Sequence, residues 1–208
     1  SKPVPDLERV YRYDPIGNRK EAYEGVNKIE YHANELNQYG RISSQKRLEE
    51  GLIYDADGNL IEDERFYYSW NGENRLVKVK PKGMEEGFEH IQFAYDFLGR
   101  RFCKRIIKNT NSKEKYVEER SFLYDGMNVI KENNKENVVT IDRFYVWGLD
   151  TSQSLGGAGG AGGLLAAVGQ NANHRYVYDA SGNIRQLIKN DDGSLFVHSE
   201  YDAFGKHY

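Results

Sequence analysis

The residues whose spacing most resembles a chemical motif lie in a glycine-rich stretch. Gly157-Ala158-Gly159-Gly160-Ala161-Gly162 matches the G-x-G-x-x-G pattern that cradles a pyrophosphate, with Leu164-Leu165-Ala166-Ala167 behind it. That chemistry needs a hydrophobic strand before the glycines and a βαβ unit around them. Here the polar run Asp150-Thr151-Ser152-Gln153-Ser154 precedes them, and Asp179, at the distance of a ribose ligand, belongs to a turn motif. The stretch therefore reads as a glycine-rich crossover over residues 154–168, where glycine allows close backbone approach.

Other chemical patterns fail in similar ways. Asp55-Ala56-Asp57-Gly58-Asn59 opens like a calcium loop, but Phe66 stands where the closing bidentate glutamate belongs. The five histidines, at 32, 90, 174, 198 and 207, show no metal-binding spacing, and Cys103 is the only cysteine. Cys103 sits in an alternating run and reads as a small hydrophobe on a strand face. No G-x-S-x-G elbow is present, and the carboxylate pairs Glu49-Glu50 and Glu85-Glu86 lie in polar stretches. No catalytic group can be named, no cofactor or metal is implied, and the chain reads as structural, not as an enzyme. One binding idea survives. Tyr67, Tyr68, Trp70, Tyr145 and Trp147 could offer ring faces to a glycan or a protein, or could stack as cross-strand pairs.

Composition limits the partners. The 208 residues carry 29 Lys and Arg against 32 Asp and Glu, a net charge of -3, with basic residues spread along the chain. That is no nucleic-acid footprint. No apolar run approaches the roughly 18–20 residues that cross a membrane, and Ser1-Lys2-Pro3-Val4-Pro5 does not open a signal peptide. Hydrophobic residues make up only 38%, yet 16 tyrosines bring apolar rings with polar tips, which suits sheets with wet faces.

The elements that would position these side chains follow from a repeat. Tyr-Asp recurs at Tyr13-Asp14, Tyr54-Asp55, Tyr95-Asp96, Tyr124-Asp125, Tyr178-Asp179 and Tyr201-Asp202. Glycine lies three residues after the Asp at Gly17, Gly58, Gly99, Gly182 and Gly205, while the copy at Tyr124-Asp125 has its glycine moved forward to Gly126. An aspartate can hold the backbone two residues on, and a left-handed glycine then returns the chain antiparallel. Each copy is thus a hairpin turn. Asn71-Gly72 and Asp191-Asp192-Gly193 supply further turns. Between turns the residues alternate, as in Val139, Ile141, Arg143, Tyr145 and Trp147. The pattern predicts roughly ten to fourteen strands, with a short helix after Ser43-Ser44 ending at Gly51 and another turn over residues 33–38.

These residues resemble the rearrangement-hotspot (RHS)/YD-repeat proteins, which include the YD shells of teneurins and insecticidal toxin complexes. Besides the Tyr-Asp-x-x-Gly copies, Asn34-Glu35-Leu36-Asn37-Gln38-Tyr39, Tyr68-Ser69-Trp70-Asn71-Gly72-Glu73-Asn74-Arg75-Leu76 and Tyr145-Val146-Trp147-Gly148-Leu149-Asp150, followed by Ser154 to Gly160, look like stretches of bacterial members. The resemblance covers nearly the whole chain. It implies an all-β, irregular antiparallel ribbon of hairpins forming a curved sheet, read here as one β-domain over residues 1–208. It implies a wall that helps enclose or present a C-terminal effector or toxin, with neighbouring shell segments as partners. The alternatives are a binding module for glycan or surface protein and, further off, a glycoside-active enzyme. Export, secretion or a cell-surface location follows from the resemblance alone. The chain is far too short for a closed cocoon and stops before the self-cleaving aspartyl motif of such proteins. Asp14-Pro15 only superficially resembles that motif. A segment cut from a longer ribbon is expected to expose strand edges and self-associate.

Overall fold

A computed structural model describes residues 9–44, 47–83, 89–110, 113–136, 138–170, 172–202 and 205. The chain divides into two compact units, one of residues 1–91 with 109–112, the other of residues 92–108 with 113–208. Every regular element among the described residues is a strand, and every recorded register is antiparallel.

In the first unit, β1 (Arg9–Tyr13), β2 (Arg19–Glu24), β3 (Asn27–Ala33), β4 (Tyr39–Ser44) and β5 (Arg47–Gly51) pair in chain order. So do β6 (Ile53–Tyr54), β7 (Leu60–Glu62), β8 (Phe66–Trp70) and β9 (Leu76–Pro81). The chain changes partner between β5 and β6. Arg41 faces Gly51, the Leu52 amide still donates to the Gly40 carbonyl at 3.1 Å, and then Ile53 faces Glu62. β10 (Glu89–Tyr95) runs from the first unit into the second. There β11 (Arg101–Thr110), β12 (Lys113–Asp125), β13 (Asn128–Glu136), β14 (Val139–Trp147), β15 (Leu164–Gly169), β16 (Ala172–Tyr178), β17 (Ile184–Lys189) and β18 (Leu195–His198) also pair in chain order.

The antiparallel hairpin ribbon is therefore as the repeats predict, with particulars corrected. The strands among the described residues number eighteen, more than expected, partly because pieces as short as β6 and β7 pair. The helix expected after Ser43 is the β4–β5 hairpin, in which Ser44 faces Arg47. Residues 45 and 46 and the side chains of Glu49 and Glu50 lie outside the described residues. The helical turn expected over 33–38 is a hairpin turn whose Asn34 amide donates to the Gln38 carbonyl at 2.8 Å. Residues 154–168 are not a crossover. Their last part is strand β15, which pairs with the preceding strand β14, so the glycines lie in a long hairpin connection. Helical spacing lost in these places because each strand already has a neighbour able to satisfy its backbone.

Little of this structure is a conventional core. Ala22, Cys103, Ile107 and Ala167 are the buried apolar side chains among the described residues. Burial pushes the Cys103 thiol up, away from its reactive form, so it packs as a small hydrophobe. Arginine–aromatic stacking covers much of the sheet instead. The Arg19 guanidinium lies 4.8 Å from the Tyr11 ring and 5.5 Å from the Tyr31 ring, and Arg101 lies 5.2 Å from Phe93 and 5.7 Å from Phe122. Each such pair contributes about 0.5–1 kcal/mol where water has access, while the aliphatic stem shields the sheet.

The turns carry their own cost. Gly58 sits at φ 85°, where a Cβ is penalised by roughly 1–2 kcal/mol. Gly58→Ala should lower the thermal midpoint by several degrees, read by circular dichroism, although the space beside it is open enough for a methyl group.

Candidate functional site

Within each unit the hairpins fold the ribbon back on itself, so alternate hairpin turns fall on one margin. The YD turns lie on such a margin, and one hydrogen-bond scheme builds them. At Asp55 the carboxylate Oδ1 accepts from the Asp57 amide at 3.0 Å and the Asn59 amide at 2.8 Å, while Oδ2 accepts from the Asn59 side chain at 3.1 Å. The Asp55 amide donates to the Asn59 carbonyl, and the Gly58 amide donates to the Asp55 carbonyl. Asp14, Asp96 and Asp179 repeat the scheme with Gly17, Gly99 and Gly182, all at positive φ. Gly205 donates to the Asp202 carbonyl in the same way, whereas Asp125-Gly126 makes a tighter hairpin in which Asp125 faces Asn128. The amide groups of Asn59 and Asn183 hold Asp55 and Asp179 below the usual carboxylate range.

Three further copies carry no Tyr-Asp-x-x-Gly signature. Asn34 accepts from Leu36 and Gln38, Asn71 from Glu73 and Arg75, and Asp150 from Ser152. Their left-handed residues are Asn37 at φ 60°, Asn74 at φ 56° and Gln153 at φ 62°. Asparagine tolerates that region, so Asn at both the first and fourth positions was the readable signal for two of them. Gly72, expected as the turn glycine, is not at positive φ; Asn74 is. Gln153 gave no signal at all.

The turns touch one another. The Asn18 side chain donates to Asn37 Oδ1 at 3.0 Å, and Asn59 donates to Asn74 Oδ1 at 2.9 Å, so the two left-handed asparagines receive the preceding turn. Aromatic residues entering a turn reach in the opposite direction, back to the strand after the previous turn. Tyr54 donates its hydroxyl to the Tyr39 carbonyl, Trp70 Nε1 to Leu60, Tyr124 to Arg101, Trp147 Nε1 to Val129 and Tyr178 to Leu164, over 2.6–3.1 Å. Each acceptor lies at or beside the first residue of the strand that follows the previous turn on that margin. The result, within each unit, is a seam of side chains crossing the strands.

The expected binding aromatics are mostly engaged in this framework. Tyr68 donates to Asp63 Oδ2 at 2.7 Å, Trp70 and Trp147 hold carbonyls, and Tyr145 donates to Glu132 Oε2 at 2.6 Å. Burial first, and then Glu132, push the Tyr145 hydroxyl up to about 12, so it remains a donor. Tyr67 is the exposed member, with Lys82 Nζ 5.0 Å from its ring centre.

Asp150 organises the glycine-rich loop. It is 2% exposed and accepts from the Ser152 hydroxyl, the Ala158 amide at 2.7 Å and the Gly160 amide at 3.3 Å. These glycine-loop amides therefore bind the chain's own carboxylate. Among the described residues no three His, Cys, Asp or Glu side chains converge as metal ligands. His32 lies 3.2 Å from Arg41 and His198 lies 3.3 Å from Glu200, while His207, Glu85 and Glu86 lie outside the described residues.

Tyr178→Phe should cost about 0.5–1.5 kcal/mol in urea unfolding, the worth of one partly buried hydrogen bond. Asp150 carries a pH prediction. The Ser152 hydroxyl, opposed by burial and joined by the loop amides, lowers its folded value from 3.8 to about 2. The unfolded state then binds more protons in acid, so stability from this group is intact above 3.8 and is lost as pH falls through about 2. Asp150→Asn should unfold more easily at neutral pH and show a shallower loss in thermal midpoint on acidification.

No family model matches. The "tRNA3(Ser)-specific nuclease WapA" of Bacillus spizizenii is 28% identical over 201 residues, covering 94% of this chain and 7% of that protein. The "tRNA nuclease WapA" of Bacillus subtilis strain 168 is 30% identical over 201 residues, again 94% of this chain and 7% of the relative. Among solved structures, the crystal structure of TcdB2-TccC3-Cdc42 aligns with 96% of this chain and 12% of that chain, at 12% identity and a TM-score of 0.49. The chain is thus similar along nearly its whole length to a segment of WapA nucleases, and it spans about 7% of the length of these curated relatives.

Proposed function

We propose that this chain is a wall segment of an RHS-like shell, helping to enclose or present an effector that lies elsewhere in a longer protein. The observation that carries the reading is the seam. Each turn is self-sufficient, each strand pairs with a chain neighbour, and aromatic hooks tie five of the turns back to the strand that follows the previous one. That construction extends a wall by addition of hairpins and commits no side chain to a substrate. The names of the relatives state nuclease activity; in this reading such an activity belongs to chain outside this segment, and the partners are an effector and neighbouring wall. Export or a cell-surface location is part of the same proposal, as is one β-domain over residues 1–208.

The carboxylates support the structural reading over a glycosidase. Glu21 and Glu30 line a groove with Tyr13 and Tyr31, but Lys28 Nζ bridges them at 2.8 Å and 2.6 Å. Both are held below the usual range by that ammonium. Glycoside hydrolysis needs one carboxyl raised so that it can donate a proton, and neither of these is.

One observation favours a second reading, a protein-binding face. The β12–β16 registers place Leu123, Phe144, Val146 and Val168 on one side of the sheet, where all four are at least two-fifths exposed. Apolar side chains gathered on one face favour a covering partner.

Protease protection of the longest natural parent chain separates these readings. In the wall reading, the effector segment survives digestion within the parent and is degraded when isolated. Free digestion of that segment inside the parent would falsify it and leave the apolar face as the functional surface.

A further inference from the structure

We propose that Asn71 is a self-modification site, at which loss of ammonia converts the asparagine into an aspartate that completes its turn. The case rests on comparing equivalent turns. At Asp96 the closing residue is Arg100, whose Nε donates to Asp96 Oδ2 at 2.7 Å while the Leu98 and Arg100 amides hold Oδ1. At Asn71 the closing residue is also an arginine, Arg75, and the Glu73 and Arg75 amides hold Oδ1 at 3.0 Å each. The position equivalent to Asp96 Oδ2 is then the amide Nδ2 of Asn71, a donor that cannot accept from the guanidinium of the closing arginine, which is itself all donor. Asn34, the other asparagine turn, has no such mismatch, because its Nδ2 donates to Gln38 Oε1 at 2.9 Å. Arg75 instead reaches Glu73 Oε2 at 3.0 Å, and Glu73 is 63% exposed.

The following residue makes the chemistry accessible. Gly72 is exposed, and nothing lies within 4 Å of where a Cβ would stand, so its nitrogen meets no side-chain hindrance. Asn34 is followed by Glu35, which offers a more crowded nitrogen. The Gly72 amide nitrogen, after giving its proton to water, bonds to Asn71 Cγ. The two amides already on Oδ1 stabilise the negative charge that develops there, as an oxyanion hole does. The Cγ–Nδ2 bond breaks, ammonia leaves with a proton from solvent, and a cyclic imide remains. Water then adds to an imide carbonyl and opens the ring. The net change is amide plus water to carboxylic acid plus ammonia, with no oxidant or cofactor. Opening at the backbone carbonyl would give isoaspartate, whose added backbone carbon breaks the turn. Opening at Cγ gives the carboxylate that four sibling turns already use.

The test is native incubation of the chain at mildly alkaline pH, with peptide mass spectrometry at intervals and an isoaspartate-specific methyltransferase assay. The expected result is that position 71 converts ahead of Asn34 and yields mainly aspartate. Gly72→Ala, which the open space and ordinary φ allow, should slow conversion at least about tenfold. The variant Asn71→Asp should unfold at higher temperature than the parent at neutral pH, with the gain eroded by high salt because it is an ion pair with Arg75. Retention of the amide in the native chain while urea-unfolded chain converts would show that the turn protects the site and would overturn the proposal. So would a majority of isoaspartate, an unchanged rate in Gly72→Ala, or a lower midpoint for Asn71→Asp.

Discussion

An oxygen on a short side chain that accepts two backbone amides, two and four residues ahead, is the interaction on which the rest of this structure depends. A hairpin that must reverse direction leaves amide groups in its loop without strand partners, and each one left unpaired in a partly buried place costs about 1–3 kcal/mol. Asp14, Asp55, Asp96 and Asp179 satisfy two amides with one atom and have a second oxygen left for the closing residue. The turn therefore needs nothing from a core. Such a unit can be repeated at irregular spacing, which is what the chain shows.

From that self-sufficiency follows the economy of the sheets. With so few buried apolar side chains, cohesion comes from strand ladders, from arginine over aromatic rings and from aromatic hydroxyl or indole donors that cross to another strand. Tyrosine suits all three because it is broad, stiff and polar at its tip. This accounts for the abundance of tyrosine in a chain of low overall hydrophobicity, and for why Tyr68, Trp70, Tyr145 and Trp147 are engaged within the sheet. It also bears on function. A wall must resist opening at each turn, and a seam that links turn to turn distributes that resistance without a solid interior.

The glycine-rich loop shows the same logic in its most elaborate form. Asp150 begins as an ordinary turn residue, but its second oxygen accepts from Ala158 and Gly160 instead of from a closing side chain. Glycine at 160 is required by crowding as well as by φ 82°, because a Cβ there would meet Asn128 Oδ1 at 2.9 Å and the Trp147 ring at 3.2 Å. What looks in sequence like a cradle for a ligand phosphate is a cradle for a carboxylate of the same chain.

By itself the sequence determined the class of fold and the places of the Tyr-Asp-x-x-Gly turns. Tyr-Asp-x-x-Gly and the period-two alternation are local signals, and the turn they encode closes within five residues, so no distant contact is needed to read it. The copies at Asn34 and Asn71 were half legible, since asparagine can both accept like aspartate and adopt positive φ like glycine. The copy at Asp150 was not, because Gln153 at φ 62° follows no local preference and is held by the loop around it. Only the tertiary structure decided that residues 43–44 and 47–51 are strands and not a helix. Their capping and periodicity fit either state, and the neighbouring strand β3, which gives β4 a ladder, settled it. Only the tertiary structure placed Tyr145 on Glu132 and Tyr178 on the Leu164 carbonyl, because those partners are brought together by strand order, which no short stretch of residues encodes.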